Sequence, residues 1–267
     1  MTRLDVYLAK NGFADSREKA KRLIADGKVL VGGKTCLKPA FSVEDGTDIT
    51  LVCSDTDSYV GRGALKLLKA FEVFPISVKG RTCADIGAST GGFTQVLLEN
   101  GAEFVYAVDV GHGQLDRRIS ENPRVKNCEG VNVRFMPPDF FHDDVSFMCC
   151  DLSFISLTQT LPAMSAALSD GGQLVALIKP QFEAGRAALN KKGIVKDRKK
   201  HVEILSQLCE FFSTVSLSLK GLDFSPVCGG DGNIEYLAFL EKNGGIPRDF
   251  DIKKIVDAAF ENSKVNP

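Results

Sequence analysis

The chain has 267 residues, 44% of them hydrophobic and 25% charged, with a formal net charge of −1. That composition is globular and long enough for one large or two small domains, and the near-neutral total leaves any nucleic-acid partner to be recognised by local patches. No signal-peptide pattern opens the chain, no apolar run approaches ~18 residues, and no metal-ligand spacing occurs, so a membrane span and a metal are both unexpected.

The first predicted helix starts after Thr2, which can cap it, carries Leu4, Tyr7 and Leu8 on one face, and ends at Gly12. Asp15 or Ser16 caps a second helix with Ala20, Leu23 and Ile24 inward, Glu18 as the capping-box partner of Asp15, and Gly27 at its end. Two β-like pieces follow, KVLVGG and TDITLV. The outer face is basic, with Arg17, Lys19, Lys21, Arg22, Lys28, Lys34 and Lys38 set against Glu18 and Asp26. Such a run can be a solvated face; its one-sidedness points to RNA. Residues 3–33, RLDVYLAKNGFADSREKAKRLIADGKVLVGG, resemble an S4-type RNA-binding domain, with its R-L-D start, S-R-x-x-A helix and glycine-flanked turn, although Gly32 stands where Asn or Asp is usual. The resemblance implies RNA contacts from Arg3, Arg17, Lys21, Arg22 and Lys28. CSDTDSY, residues 53–59, reads as a polar linker, which divides the chain into domains at 1–58 and 59–267.

Beyond the linker, strands are expected near 82–86, 104–109, 124–128, 145–150, 173–178 and 234–240. Helices are expected near 62–72, 92–100, 114–120, 157–168 and 199–212, with a final amphipathic stretch carrying Ile252, Ile255, Val256, Ala259 and Phe260. This alternation predicts an α/β fold, a mostly parallel sheet of Rossmann type behind a small α+β domain. Cys149 and Cys150 lie in an apolar run and read as core residues. The eight cysteines include no C-x-x-C pair, consistent with reduced thiols in a cytoplasmic protein. The run KKGIVKDRKKH, residues 191–201, is strongly cationic and is either an RNA contact or a solvated loop.

The most informative stretch is TCADIGASTGGFTQVLLENG, residues 82–101, followed by VYAVDV. An apolar strand ends in Asp85, a glycine loop follows, and the next strand ends in Asp109, where an acid can accept both hydroxyls of a ribose. The spacing is G-x-x-x-G-G, not the G-x-G-x-x-G of a dinucleotide loop, so a nucleoside without a pyrophosphate fits better. S-adenosylmethionine satisfies this, with its adenosine toward Asp109, its amino group at the Asp85 turn and its carboxylate on loop amides. A tight turn with no ligand is the bland alternative. Polar residues also end the later strands: Asn132, Asp151 and Lys179.

D/N-P-P-Y, usual in enzymes that methylate base nitrogens, is absent, and no cysteine stands in a nucleophile motif. The acceptor-side candidates are Lys66, Asp151, Lys179 and Glu235. A ribose 2′-hydroxyl needs a positioned base, and two lysines with two acids are a sensible set for that task. Their order, Lys–Asp–Lys–Glu, resembles the tetrad of FtsJ-like RNA 2′-O-methyltransferases. YVGRGALKL, DIGASTGGFTQVLL, VDVGHGQL, DLSFISL, IKPQFE and GNIEYL, with the S4-type start, resemble the TlyA family of ribosomal RNA cytidine 2′-O-methyltransferases, often labelled hemolysins. The resemblance runs from about Arg3 to about residue 240. It implies that Lys179 acts on the 2′-hydroxyl, that Lys66 and Glu235 assist, and that Asp151 orients Lys179. It further implies that Gly87, Ser89, Gly91, Gly92 and Phe93 form the cofactor loop, with Asp85, Asp109 and Asn132 beside it, and that Arg134 faces RNA. The partner implied is ribosomal RNA. Family members differ in modifying one subunit or both, and the start near Arg3 points toward the large subunit. The alternatives are a non-catalytic RNA-binding assembly factor, a small-molecule methyltransferase and a pore-forming hemolysin, the last opposed by the lack of any membrane-length apolar run.

Overall fold

The computed structural model describes residues 1–14, 16–25, 27–52, 58–229 and 232–265, with the side chains of residues 22, 264 and 265 left aside. The Asp15 cap with its Glu18 pairing, the Arg22 side chain and linker residues 53–57 therefore lie outside what is described. The chain divides into two compact units, Met1–Ser58 and Tyr59–Pro267.

In the first unit, Thr2–Arg3 (β1) pairs antiparallel with Ser42–Val43 (β4), so Thr2 is a strand residue and not a helix cap. Helix α1 (Leu4–Lys10) follows directly, and Arg3 at its start makes no side-chain cap. Helix α2 (Arg17–Ala25) is capped by Ser16, whose Oγ accepts from the Lys19 amide at 3.1 Å. Strand β2 (Val29–Val31) pairs antiparallel with Lys34–Thr35 (β3) and with Ile49–Leu51 (β5). Leu4, Leu8, Ile24 and Val29 are fully buried between them, each contributing about 1.5–3 kcal/mol to a small core.

The second unit is a seven-stranded sheet covered on both faces. Its strands are β6 (Thr82–Ile86), β7 (Phe104–Asp109), β8 (Val125–Glu129), β9 (Phe147–Cys150), β10 (Gln173–Ile178), β11 (Leu217–Phe224) and β12 (Tyr236–Lys242), in the order β11-β12-β10-β9-β6-β7-β8. The five strands from β10 to β8 run parallel, whereas β12 runs antiparallel to both β10 and β11. Alternate strand residues point to opposite faces. Cys83, Val105 and Phe147 meet α3 (Ala64–Val73) and α4 (Gly92–Glu99), while Ala84, Ile86, Tyr106 and Met148 meet α6 (Leu157–Ala167), α8 (Arg198–Thr214) and α9 (Ile252–Val265). The short helices α5 (Arg117–Ser120) and α7 (Pro180–Glu183) complete the unit. Cys149 and Cys150 are fully buried.

Two features depart from the predicted elements. Strand β11 was not expected, because a bulge between Leu219 and Gly221 breaks the alternation of LSLKGLDF. A Cβ at Gly221 would stand 2.5 Å from the Phe74 ring, so glycine admits the close packing there. Pro180 does more than stop β10: it occupies the first position of α7, where its missing N–H costs nothing. No helix among the described residues is long and apolar enough to cross a membrane.

Candidate active site

The site lies at the carboxyl edge of the parallel strands. The loop after β6 turns sharply because Gly87 (φ 85°) and Gly91 (φ 93°) take left-handed conformations. A Cβ at Gly87 would stand 2.8 Å from the Asp151 carbonyl, so this loop and the end of β9 are in direct contact. The Ser89 amide donates to Asp109 Oδ2 at 2.8 Å, and the Gly111 amide donates to Oδ1 at 2.7 Å. Each oxygen keeps a second lone pair for a ligand hydroxyl. Asp109 lines a cleft of about 420 Å³ together with Asn132, Asp151, Ser153 and Phe154. The Asn132 Oδ1 accepts from the Arg134 amide at 3.1 Å, which leaves its NH₂ group to donate. A second cleft of about 260 Å³ is lined by Arg62, Gly63, Lys66, Gly92, Phe93 and Cys228. Gly87, Ser89 and Asp151 line both clefts, so the two meet at the end of β9.

The cofactor's amino group is expected at the Asp85 turn; the Asp85 carboxylate itself is fully buried and accepts from the Thr94 hydroxyl at 2.7 Å, so Ile86 and Gly87 of that turn, and not this side chain, line the clefts. Burial pushes it up to about 7, against the Thr94 hydrogen bonds. Its position at a strand end does not determine which way its side chain points.

Beside the junction stands a cluster of two lysines and two acids. Lys66 Nζ lies 3.0 Å from Asp151 Oδ2 and 2.7 Å from Glu235 Oε2, and Lys179 Nζ lies 2.6 Å from Asp151 Oδ1. Lys66, Lys179 and Glu235 are buried. The topology explains the meeting. Asp151 and Lys179 follow the ends of the parallel strands β9 and β10, and Glu235 precedes antiparallel β12, whose first residue Tyr236 pairs with Ile178. Lys66 reaches the same edge from α3. Burial opposes the charge on Lys66, but Asp151 and Glu235 outweigh it and raise this lysine above its usual value. Burial likewise opposes ionisation of Asp151, and the two lysines overcome it and lower the carboxyl. With two charges of each sign the cluster is neutral as a whole, which lets it remain ionised under cover.

Sequence reasoning passed over Ser153, whose Oγ accepts from Lys179 Nζ at 2.9 Å, and Arg62, in the wall of the second cleft. The signal for both was position: Ser153 stands three residues past a strand end, and Arg62 one turn before Lys66.

The residues expected on RNA do not form one class. In the first unit, Arg3 Nε lies 3.0 Å and Arg17 Nε 2.9 Å from the fully buried Asp5, so both are half-exposed partners that neutralise a core acid. They hold Asp5 down to about 2. Lys21 is near the surface, 2.7 Å from Glu18, and Lys28 is half-buried before β2. In the second unit, Arg134 is exposed, its guanidinium 5.5 Å over the ring of Phe135. The run 191–201 is not one basic loop. Asp197 caps α8, Arg198 pairs with Asp257 and Glu261, and His201 is buried, leaving Lys191, Lys192, Lys196 and Lys199 exposed. No group of three or more potential metal ligands occurs among the described residues.

Residues 59–242 match the FtsJ-like methyltransferase family and residues 2–49 the S4 domain. The chain is 43% identical to YqxC of Bacillus subtilis over 269 residues, covering 98% of this chain and 95% of that one. It is 41% identical over 238 residues, 89% of each chain, to TlyA of Mycobacterium tuberculosis, a 16S/23S rRNA (cytidine-2′-O)-methyltransferase. A solved structure from Streptococcus thermophilus, described as a hemolysin, superposes with a TM-score of 0.80 at 45% identity, covering 99% of this chain and 97% of that one. With buried Lys66, Lys179 and Glu235 gathered around Asp151 at the edge of an α/β sheet, the chain belongs to the FtsJ-like methyltransferase family, in its S4-bearing TlyA branch.

Proposed function

We propose that this protein transfers a methyl group from S-adenosylmethionine to the ribose 2′-hydroxyl of a cytidine in ribosomal RNA, with residues 1–58 as the RNA-binding part and 59–267 as the catalytic part. The observation that carries the reading is the largely covered, charge-balanced cluster of Lys66, Asp151, Lys179 and Glu235 beside the junction of two clefts.

The clefts suit a bent ligand with a nucleoside at one end and an amino acid at the other. Asp109 accepts from ribose hydroxyls and the Asn132 amide meets the base edge in the larger cleft. The smaller cleft takes the amino-acid end beside Arg62, on the loop formed by Gly87, Ser89, Gly91, Gly92 and Phe93. The Gly87 turn leaves no room for a Cβ against the Asp151 carbonyl, which seats this loop on the end of β9 next to the lysine–acid cluster. When bound, the cofactor supplies an electrophilic methyl group on sulfonium sulfur.

Lys179, once it has released its own ammonium proton to solvent, accepts the hydroxyl proton as the new carbon–oxygen bond forms, so the ribose oxygen never carries a lasting positive charge. Asp151 holds Lys179 by a 2.6 Å ion pair and is itself held by Lys66. Glu235 keeps Lys66 cationic and in place. Lys21, Lys28 and Arg134 meet RNA phosphates and bases; Arg3 and Arg17 contribute through the exposed halves of their guanidinium groups. A ribosomal substrate implies a cytoplasmic site of action.

The test is a pair of variants. Lys179→Ala and Lys179→Arg should each lose at least ~10²-fold in methyl transfer, since arginine stays protonated, while cofactor affinity by calorimetry is unchanged. Near-normal turnover by the arginine variant would refute the base assignment.

A further inference from the structure

The loop after β9, residues 152–156, is tied to residues 179–183 at three points. Lys179 Nζ donates to Ser153 Oγ at 2.9 Å. The Phe154 ring lies 5.1 Å from the Phe182 ring. The Glu183 carboxylate accepts from Ser156 Oγ at 2.5 Å and from the Leu157 amide at 2.8 Å. Between these ties Phe154 takes a left-handed backbone conformation (φ 64°), which side-chain-bearing residues rarely adopt, and its ring is 91% exposed. Glu183 is largely buried, and burial raises its carboxyl above the ordinary value. A strained turn that brings one serine hydroxyl onto one lysine, clamped by a covered acid, is an expensive arrangement for a mere connection.

We propose that Ser153 is a positioning residue for Lys179, and that Glu183 holds the loop that presents it. The inference rests on the reading of Lys179 as the group that meets the 2′-hydroxyl. Once it has given up its ammonium proton to solvent, Lys179 has two N–H bonds and one lone pair, arranged tetrahedrally. With Asp151 Oδ1 at 2.6 Å as its sole acceptor, the amine rotates about that contact and the lone pair sweeps a cone. A second acceptor, Ser153 Oγ, takes the other N–H and leaves the lone pair one direction in which to point. That direction is where the hydroxyl proton has to arrive. After transfer, the new N–H occupies it, and the contacts to Asp151 and Ser153 persist through the step. Ser153 lines the larger cleft and accepts from Lys179, so it acts on the amine and needs no contact with RNA.

The prediction is a loss in kcat without a loss in binding. Ser153→Ala should lower kcat for methyl transfer about 10-fold, the scale of a misaligned reacting group. The KM for ribosomal subunits and the cofactor affinity should each change less than about 2-fold, with the melting temperature unmoved. Ser153→Thr keeps the hydroxyl and should restore most of kcat. Glu183→Gln, which keeps an acceptor for the Leu157 amide, should fall between wild type and Ser153→Ala. Wild-type kcat in Ser153→Ala, with Lys179→Ala inactive, would overturn the role of Ser153 and leave that of Lys179 intact. Activity in Lys179→Ala would remove the underlying reading itself. A raised KM at unchanged kcat in Ser153→Ala, or no rescue by threonine, would also overturn the inference, since either makes the hydroxyl a binding or packing group.

Discussion

Replacing Asp85 with asparagine should stabilise the protein, and more so at alkaline pH. Asp85 is fully buried, and the acids that reach it electrostatically, Asp151 and Asp109, are also negative. Its carboxyl is raised from 3.8 to about 7, so the folded chain holds a proton that the unfolded chain releases. Stability from this group is therefore present in acid, falls as pH rises from the unfolded value to about 7, and levels off above it. At ~1.4 kcal/mol per pH unit over that interval the full loss is ~4 kcal/mol, and local relaxation reduces it to about 2–4 kcal/mol. Asparagine carries no charge at any pH and keeps an oxygen for the Thr94 hydroxyl, now at 2.7 Å. Its new amide sits near Cys149 Sγ, 3.9 Å from Oδ1, at a cost independent of pH. Melting curves should thus show Asp85→Asn gaining about 5–15 °C over wild type near pH 8, and only about a third of that near pH 5. Cofactor affinity should stay within a few-fold, because the carboxylate lines neither cleft. An equal gain at both pH values, or a loss at the higher one, would refute the buried-acid argument.

Asp109→Ala should weaken S-adenosylmethionine binding by ~1.5–3 kcal/mol in calorimetry, the value of hydrogen bonds to a charged acceptor, and NAD should bind to neither form. Gly229→Ala should cut methyl transfer by ~10²-fold, the scale of a catalytic group misplaced by about 1 Å, since its methyl would collide with Glu235 Oε1 and shift the acid against Lys66. Lys21→Gln with Lys28→Gln should flatten the log–log salt dependence of RNA binding by ~0.7 for each phosphate no longer neutralised, measured by filter binding.

Much of the fold can be read from local signals. The apolar runs ending in Asp109, Cys150 and Ile178 announce strands, and the polar residues after them mark the edge where ligands bind in parallel sheets. What escaped depends on side-chain direction or on non-local packing. Asp85 and Asp109 look equivalent in the chain, but one carboxylate turns into the sheet and the other into a cleft. Arg3 and Arg17 look like outward cations until Asp5, buried between them, is seen to need both. The strand LSLKGLDF is hidden by Gly221, whose role is set by the distant ring of Phe74. Glu235 precedes its strand where Lys179 follows one, and only the antiparallel pairing of β12 with β10 puts them on the same edge.

The most direct measurement is a map of the transferred methyl group. Purified protein is incubated with isotope-labelled S-adenosylmethionine and separated, unmodified ribosomal subunits, and the digested RNA is analysed by mass spectrometry of nucleosides. Label should appear in 2′-O-methylcytidine with wild type and be absent with Lys179→Ala, and the subunit that carries it identifies the target RNA. Label on a base, label on a nucleoside other than cytidine, or label that persists with Lys179→Ala would contradict ribose methylation by this cluster.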